Sequence, residues 1–186
     1  ARLNYILAQI YQNSNNYLLA QKHYKTVLRS NPEYEMVFNS KMNLARTLEK
    51  GSAGTKKMKD KILKMTRDDK NKNYLDQIYY TIAKMDLNNN DTSAAIKNYK
   101  LSTIKSEDNN AQKALSFLAL GELYFSKKLY RPANTNYDST IFYMENNYSN
   151  YENIKKQQER KKRKKNYEKN KKKQWKGSSG KALGEP

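Results

Sequence analysis

The sequence predicts an all-α protein built as a repeat array, and three observations carry that expectation. One helical pattern recurs four times in the 186 residues, each copy offset by 37 or 38 positions from the last. No β-branched residues alternate with polar ones over a strand's length, and only three prolines and six glycines interrupt the chain. With Leu7, Ala8, Tyr11, Ala20, Tyr24, Val27 and Pro32 as the template, a shift of 37 meets Leu44, Ala45 and Leu48. A shift of 75 meets Ile82, Ala83, Ala95, Tyr99 and Ser102, and one of 113 meets Leu120, Gly121, Tyr124, Ala133, Tyr137 and Thr140. Small residues recur where two helices must cross closely, and bulky ones where the pair must bury a stripe. Such a pair cannot cover its apolar face alone, so it stacks on neighbours.

The first helix, residues 2–13, sets Leu3, Leu7, Ile10 and Tyr11 on one face. Its partner follows the polar turn at 13–16 and directs Leu19, Ala20, Tyr24, Val27 and Leu28 inward. Asn31 and Pro32 close the unit, because a residue before proline disfavours helix. The third helix is expected over 35–50, stopping at Gly51, with a loop at 51–55. The fourth, carrying Met58, Ile62 and Met65, is the least regular. Helices follow over about 73–88, 91–105, 110–127 and 130–148, with Asp91 and Asn109 or Asn110 as suitable caps. Eight helices make four pairs, at about 1–34, 38–70, 76–107 and 114–147, within an array of residues 1–150. Residues 151–186 are a basic low-complexity tail whose GSSG run at 177–180 has linker composition.

With 37% apolar and 30% charged residues but sixteen tyrosines, the chain suits thin, layered helix pairs better than a thick globular centre. The absence of cysteine excludes disulfides and thiolate metal sites. The chain begins at Ala1 inside the first helix, so an upstream segment is expected. No apolar stretch approaches the ~18 residues that span a bilayer. The formal net charge is +19, of which residues 155–176 contribute +11 from thirteen Lys or Arg against two Glu. Such like charges repel, so the tail is expected to be disordered or a fraying extension of the last helix.

The positions of Leu7, Ala8, Tyr11, Ala20, Tyr24 and Pro32 resemble those of the tetratricopeptide repeat over residues 1–147. Copy two departs from the pattern, with Lys57 where a small residue belongs and three extra residues before its first helix. The resemblance implies a right-handed solenoid of four antiparallel helix pairs whose first helices line a concave groove. The partner groove would then hold Tyr5, Gln9, Met42, Arg46, Tyr80, Lys84, Leu118, Glu122 and Phe125, joined by Arg2, Gln12, Asn39, Glu49, Gln77, Leu87 and Leu115. Leu7, Ala8, Tyr11, Ala20, Tyr24, Ala45, Ala83, Ala95, Tyr99, Gly121, Tyr124, Ala133 and Tyr137 would make the repeat packing. A groove of this kind suits an extended or helical peptide; the alternative is that its residues face solvent or a neighbouring repeat. Of the residues with which some members clamp a terminal carboxylate, only Asn43 matches in type, while Tyr5, Gln9, Gln77 and Thr81 stand at the others. A chaperone-tail clamp is therefore not expected.

Whole phrases carry a narrower resemblance: RLNYILAQIY at 2–11, NPEYEM at 31–36, NYLDQIYY at 73–80, QKALS at 112–116 and NYDST at 136–140. They are similar to the tetratricopeptide lipoprotein family of gliding motility and type IX secretion, the SprE or PorW kind. That resemblance implies a periplasmic, outer-membrane-associated scaffold that contacts other secretion-machine components, anchored through a missing upstream segment. Two alternatives stand beside it: a cytoplasmic tetratricopeptide adaptor whose basic tail, with Tyr167 and Trp175, contacts nucleic acid, and the sensory region of a regulator. Weak nonspecific polyanion binding by the tail is expected in any case.

Enzyme readings find little support in the residues. His23 is the only histidine and has no cysteine or carboxylate at metal-site spacing. Asp68 and Asp69 end a helix among lysines, and residues 51–57 (GSAGTKK) lack the spacing and preceding strand of a phosphate loop. The expectation is a non-enzymatic protein with no cofactor and no metal.

Overall fold

The computed structural model describes residues 1–48, residues 52–144 and eight positions of the tail. Among the described residues the chain is all-α, with eight helices and no strand. These are α1 (Arg2–Asn13), α2 (Tyr17–Arg29), α3 (Tyr34–Arg46), α4 (Ala53–Met65), α5 (Leu75–Asn88), α6 (Thr92–Lys105), α7 (Asn110–Ser126) and α8 (Tyr130–Tyr143). A short 3-10 helix, Asp69–Tyr74, precedes α5. The chain divides into two compact units, Ala1–Ser116 and from Phe117 onward, so the boundary falls within α7.

The sequence period reappears in the backbone. After α1, Asn15 turns left-handed at φ 58°, and the Asn16 N–H donates back to the Tyr11 carbonyl at 2.8 Å. After α5, Asn90 has φ 63° and the Asp91 N–H donates to the Asp86 carbonyl at 2.9 Å. After α7, Lys128 has φ 60° and the Leu129 N–H donates to the Tyr124 carbonyl at 2.9 Å. A left-handed residue followed by this long back-bond satisfies the last free carbonyls of a helix. The next helix starts at once: Asn16 accepts from the Leu19 N–H at 3.3 Å, and Asp91 from the Ala94 N–H at 2.9 Å.

In the first unit, one apolar cluster joins Ala8, Ala20, Tyr24 and Leu44, with Tyr5, Tyr11, Leu28 and Met58 packed against it. A second joins Phe38, Met42, Ala45, Ile62, Ile78, Ile82 and Met85. Burying one such side chain is worth ~1.5–3 kcal/mol, so these clusters outweigh any single hydrogen bond in the fold. Ala83, Ala95 and Tyr99 are also buried there, and Leu7 is half-buried. In the second unit Leu120, Gly121, Leu123, Ala133, Tyr137 and Met144 are buried and Tyr124 half-buried, while the Phe117 and Tyr143 rings stack at 5.7 Å.

Local chemistry moves several helix ends from their expected places. α3 stops at Arg46, where Thr47 Oγ1 donates to the Leu44 carbonyl at 2.7 Å; Glu49 and Gly51 lie outside the described residues. The loop expected over 51–55 is helical from Ala53, because Ser52 Oγ caps the Thr55 N–H at 3.2 Å. The helix expected from 73 starts at Leu75. Before it, Asp68 caps the Lys70 N–H at 3.1 Å and buried Asn71 donates to the Met65 carbonyl at 2.9 Å. α8 spans Tyr130–Tyr143, and residues 145–148 of the expected helix lie outside the described residues. Leu3 and Ile10, placed on one face with Leu7 and Tyr11, are 70% and 53% exposed; Ala8 is the buried residue of α1. Of the tail, Lys155, Lys156, Glu159, Arg160, Arg163, Asn166, Tyr167 and Asn170 have helical backbone and are exposed. Trp175 lies outside the described residues.

Candidate binding cleft

The first unit contains an open cleft of about 720 Å³. Gln12 of α1, Arg46 of α3, Gln77, Tyr80 and Lys84 of α5, and Leu115 of α7 are among its lining residues. Each stands at a position the repeat register assigns to the groove, so successive helices deliver one or more residues to the same space.

Arg46 dominates its electrostatics. Its Nη2 donates to Thr81 Oγ1 and its Nη1 to Asn43 Oδ1, both at 3.4 Å, long for charge-assisted bonds. Its Nε is buried and makes no hydrogen bond. The guanidinium carbon stands 5.7 Å from the Tyr80 ring centroid, close enough for a cation–π contribution. Burial lowers the Arg46 pKa from its ordinary value, the nearby tyrosine hydroxyls opposing the shift. Lys84 Nζ lies 5.9 Å from the same ring, and its pKa is lowered by burial and then by the Arg46 charge. Tyr80 itself is braced edge-on by buried Tyr99, ring centroids 5.3 Å apart.

The other expected groove residues lie elsewhere. Met42 is corrected: it is 2% exposed within the second apolar cluster and is not accessible to a partner. A uniform offset put it in the groove, one turn before Arg46 on nearly the same face of α3, but at its level the face is covered by the cluster that holds Ile62 and Ile78. Tyr5 is half-buried, its ring edge-on to Tyr24 at 6.1 Å and its hydroxyl accepting from Asn43 at 3.5 Å. Gln9 is exposed and does not line the cleft. Leu118, Glu122 and Phe125 belong to the second unit, where Phe125 packs edge-on to Tyr130 at 5.5 Å.

His23 stacks on Tyr11 at 5.4 Å and pairs through Nδ1 with Asn4 Oδ1 at 2.8 Å, which gives it a packing role.

Two buried carboxylates escaped the sequence reading. Asp86 is 1% exposed, ion-paired with Lys59 of α4 and accepting from Asn98 at 2.7 Å. It stands 75 residues after Tyr11, where an apolar stripe calls for an aromatic residue; that substitution was the available signal. Asp76, 2% exposed, accepts from the Gln77 N–H at 2.7 Å and from Asn109 Nδ2 at 3.0 Å. Burial pushes its carboxyl up, and the hydrogen bonds from Gln77, Asn109 and Ser106 oppose that shift. It borders a second cavity of about 440 Å³ where Lys72 and Lys105 stand near Glu107 and Asp108. That cavity contains its own counter-charges, and the Arg46 cleft has none among its described lining residues.

No protein-family model matches the chain, and no curated protein matches it. Among the described residues, no helix is long and apolar enough to cross a membrane.

Proposed function

We propose that this chain is a non-enzymatic helical-repeat scaffold that holds a segment of another protein in the cleft of its first unit. The observation that carries the reading is the convergence of Gln12, Arg46, Gln77, Tyr80, Lys84 and Leu115, contributed by four helices, on one open space. A preformed cleft lined by several amides, two cations and an aromatic ring offers what a peptide needs: donors, acceptors and a flat apolar surface. The repeat phrases support the finer reading, a tetratricopeptide component of type IX secretion and gliding motility working on the periplasmic side of the outer membrane.

The test places a photo-crosslinking residue at Gln77 and, as a control, at exposed Lys97, in cells that possess the secretion machinery. A discrete adduct with a machine component from position 77 alone, with loss of cargo secretion when the chain is deleted, is the expected result. Intact secretion without the chain would remove the type IX reading. The absence of any position-specific adduct would remove the scaffold reading.

A further inference from the structure

From the charges of the cleft we infer that its occupant is an acidic peptide segment, one carboxylate seated between Arg46 and Lys84 beside Tyr80. The inference rests on the scaffold reading and names the chemistry of its partner.

A buried guanidinium ordinarily meets a carboxylate, because removing its hydration is costly unless charge and hydrogen bonds replace it. Among the described residues Arg46 donates only to two neutral oxygens, each at 3.4 Å, and its Nε has no acceptor. A second cation, Lys84, shares the Tyr80 ring with it at 5.9 Å, which raises the local positive potential further. No Asp or Glu is among the cleft's described lining residues. Two cations thus face one open space with no counter-charge among the described lining residues.

The neutral lining decides what sort of anion. Gln77 presents an amide that is both donor and acceptor. Gln12, whose Oε1 accepts from the Tyr24 hydroxyl at 2.7 Å, keeps its amide N–H groups, and Gln112, whose Nε2 donates to Ser116 Oγ at 3.3 Å, keeps its carbonyl. Together they can pair with the N–H and C=O groups of an extended backbone. Nucleic acid offers a row of phosphates and asks for a row of cations, of which this cleft supplies two. A peptide carrying Asp or Glu matches both the amides and the cations.

The experiment uses the full chain at about 150 mM salt, where surface charges more than ~8 Å apart are largely screened. The probes are a fluorescein-labelled decapeptide containing three Glu and the same peptide with Gln in their place. The Glu peptide should bind at least about tenfold more tightly. Arg46→Gln should abolish that preference and Lys84→Gln should reduce it severalfold. Lys97→Gln, an equal change of charge on the exposed face of α6, should leave it intact. Lys84 is exposed, so its replacement keeps the fold, and circular dichroism melts check the Arg46 variant. Equal affinity for the two peptides, or cleft variants no weaker than Lys97→Gln, would overturn the proposal. An affinity rise of tenfold or more on Glu49→Gln would also overturn it, since the chain's own carboxylate would then be the occupant. If position 77 crosslinks a partner in cells but the peptide preference is absent, the scaffold reading stands and this one falls.

Discussion

Gly121 of α7 and Tyr137 of α8 share a space that admits only one of them with a side chain: a Cβ on residue 121 would lie 2.7 Å from Tyr137 Cε1 and 2.8 Å from its Cδ1. The ring is 2% exposed and has little room to retreat. At the same repeat positions Ala8 accompanies Tyr24 and Ala83 accompanies Tyr99, all buried, so the last pair has exchanged a methyl for a hydrogen.

Gly121→Leu should therefore destabilise the second unit by ~1–3 kcal/mol, the usual cost of overpacking a filled site. Gly121→Ala should cost less, and adding Tyr137→Leu to it should recover part of the loss, as a double-mutant cycle in urea would measure. A Gly121→Leu melt matching wild type would remove the crossing from this position.

A second expectation concerns Lys59 and Asp86. Lys59→Met leaves a carboxylate that is 1% exposed with Asn98 as its one remaining side-chain partner. Because Lys59 itself is 29% exposed, the loss should fall below the full cost of breaking a buried pair, at about 1–3 kcal/mol. The double variant Lys59→Met with Asp86→Leu should be closer to wild type than either single change. Additive losses in chemical denaturation would show that the pair is not coupled.

The pH dependence of Asp76 has a definite sign. Burial raises its pKa in the fold, so the folded chain keeps a proton that the unfolded chain releases. The resulting contribution to stability is complete below the ordinary aspartate range and is lost as pH rises through the raised value. Asp76→Asn never ionises and should gain on wild type as pH goes from about 3 to about 7, on top of a constant loss from its altered bond to Asn109. Urea midpoints of both proteins across that range test this. An Asp76→Asn variant that falls further behind wild type as pH rises would place the carboxylate in a charge-stabilising environment instead, and a difference that stays constant would show that its pKa is not raised.

For the tail, truncation after residue 154 should preserve both the thermal transition and binding in the cleft, since every described core residue precedes it. If the tail works on nucleic acid, the full chain must bind it tightly near physiological salt, with a log–log salt slope of about −0.9 per phosphate neutralised. Weak attraction at low salt would only reflect the +11 charge of residues 155–176. Tight binding lost on truncation, together with loss of cellular role, would replace the scaffold reading.

Helical class and the repeating register were legible because they depend on local spacing. A small residue every 37 or 38 positions marks one crossing after another, and buried Ala8, Ala20, Ala83, Ala95 and Ala133 stand at those places. Polar partners at long range were not legible. Nothing in hydrophobic spacing announces that Lys59 reaches Asp86 across 27 residues, or that Tyr34 donates to Asn71 across 37. Short caps were not legible in copy two because Ser52 and Asp68 act through local hydrogen bonds, to Thr55 and to the Lys70 N–H, outside any apolar pattern. Met42 was not legible for a related reason: a rigid offset assigns a face of α3, but not which turn of that face the cluster around Ile62 covers. Arg46, Tyr80 and Lys84 line the cleft at positions that the tetratricopeptide resemblance assigns to a groove, but the neutral surroundings of Arg46 emerged only with its neighbours in place.

The turn built on Asn15, Asn90 and Lys128 ends one helix and opens the next within a few residues, using only groups close by in the chain. Because each joint is self-sufficient, a gene duplication that copies one whole period brings its stop and start signals with it. Length thus becomes a variable that evolution can change by recombination without redesigning a junction. Engineered insertion of a further copy of residues 76–113 would be the laboratory version of the same event.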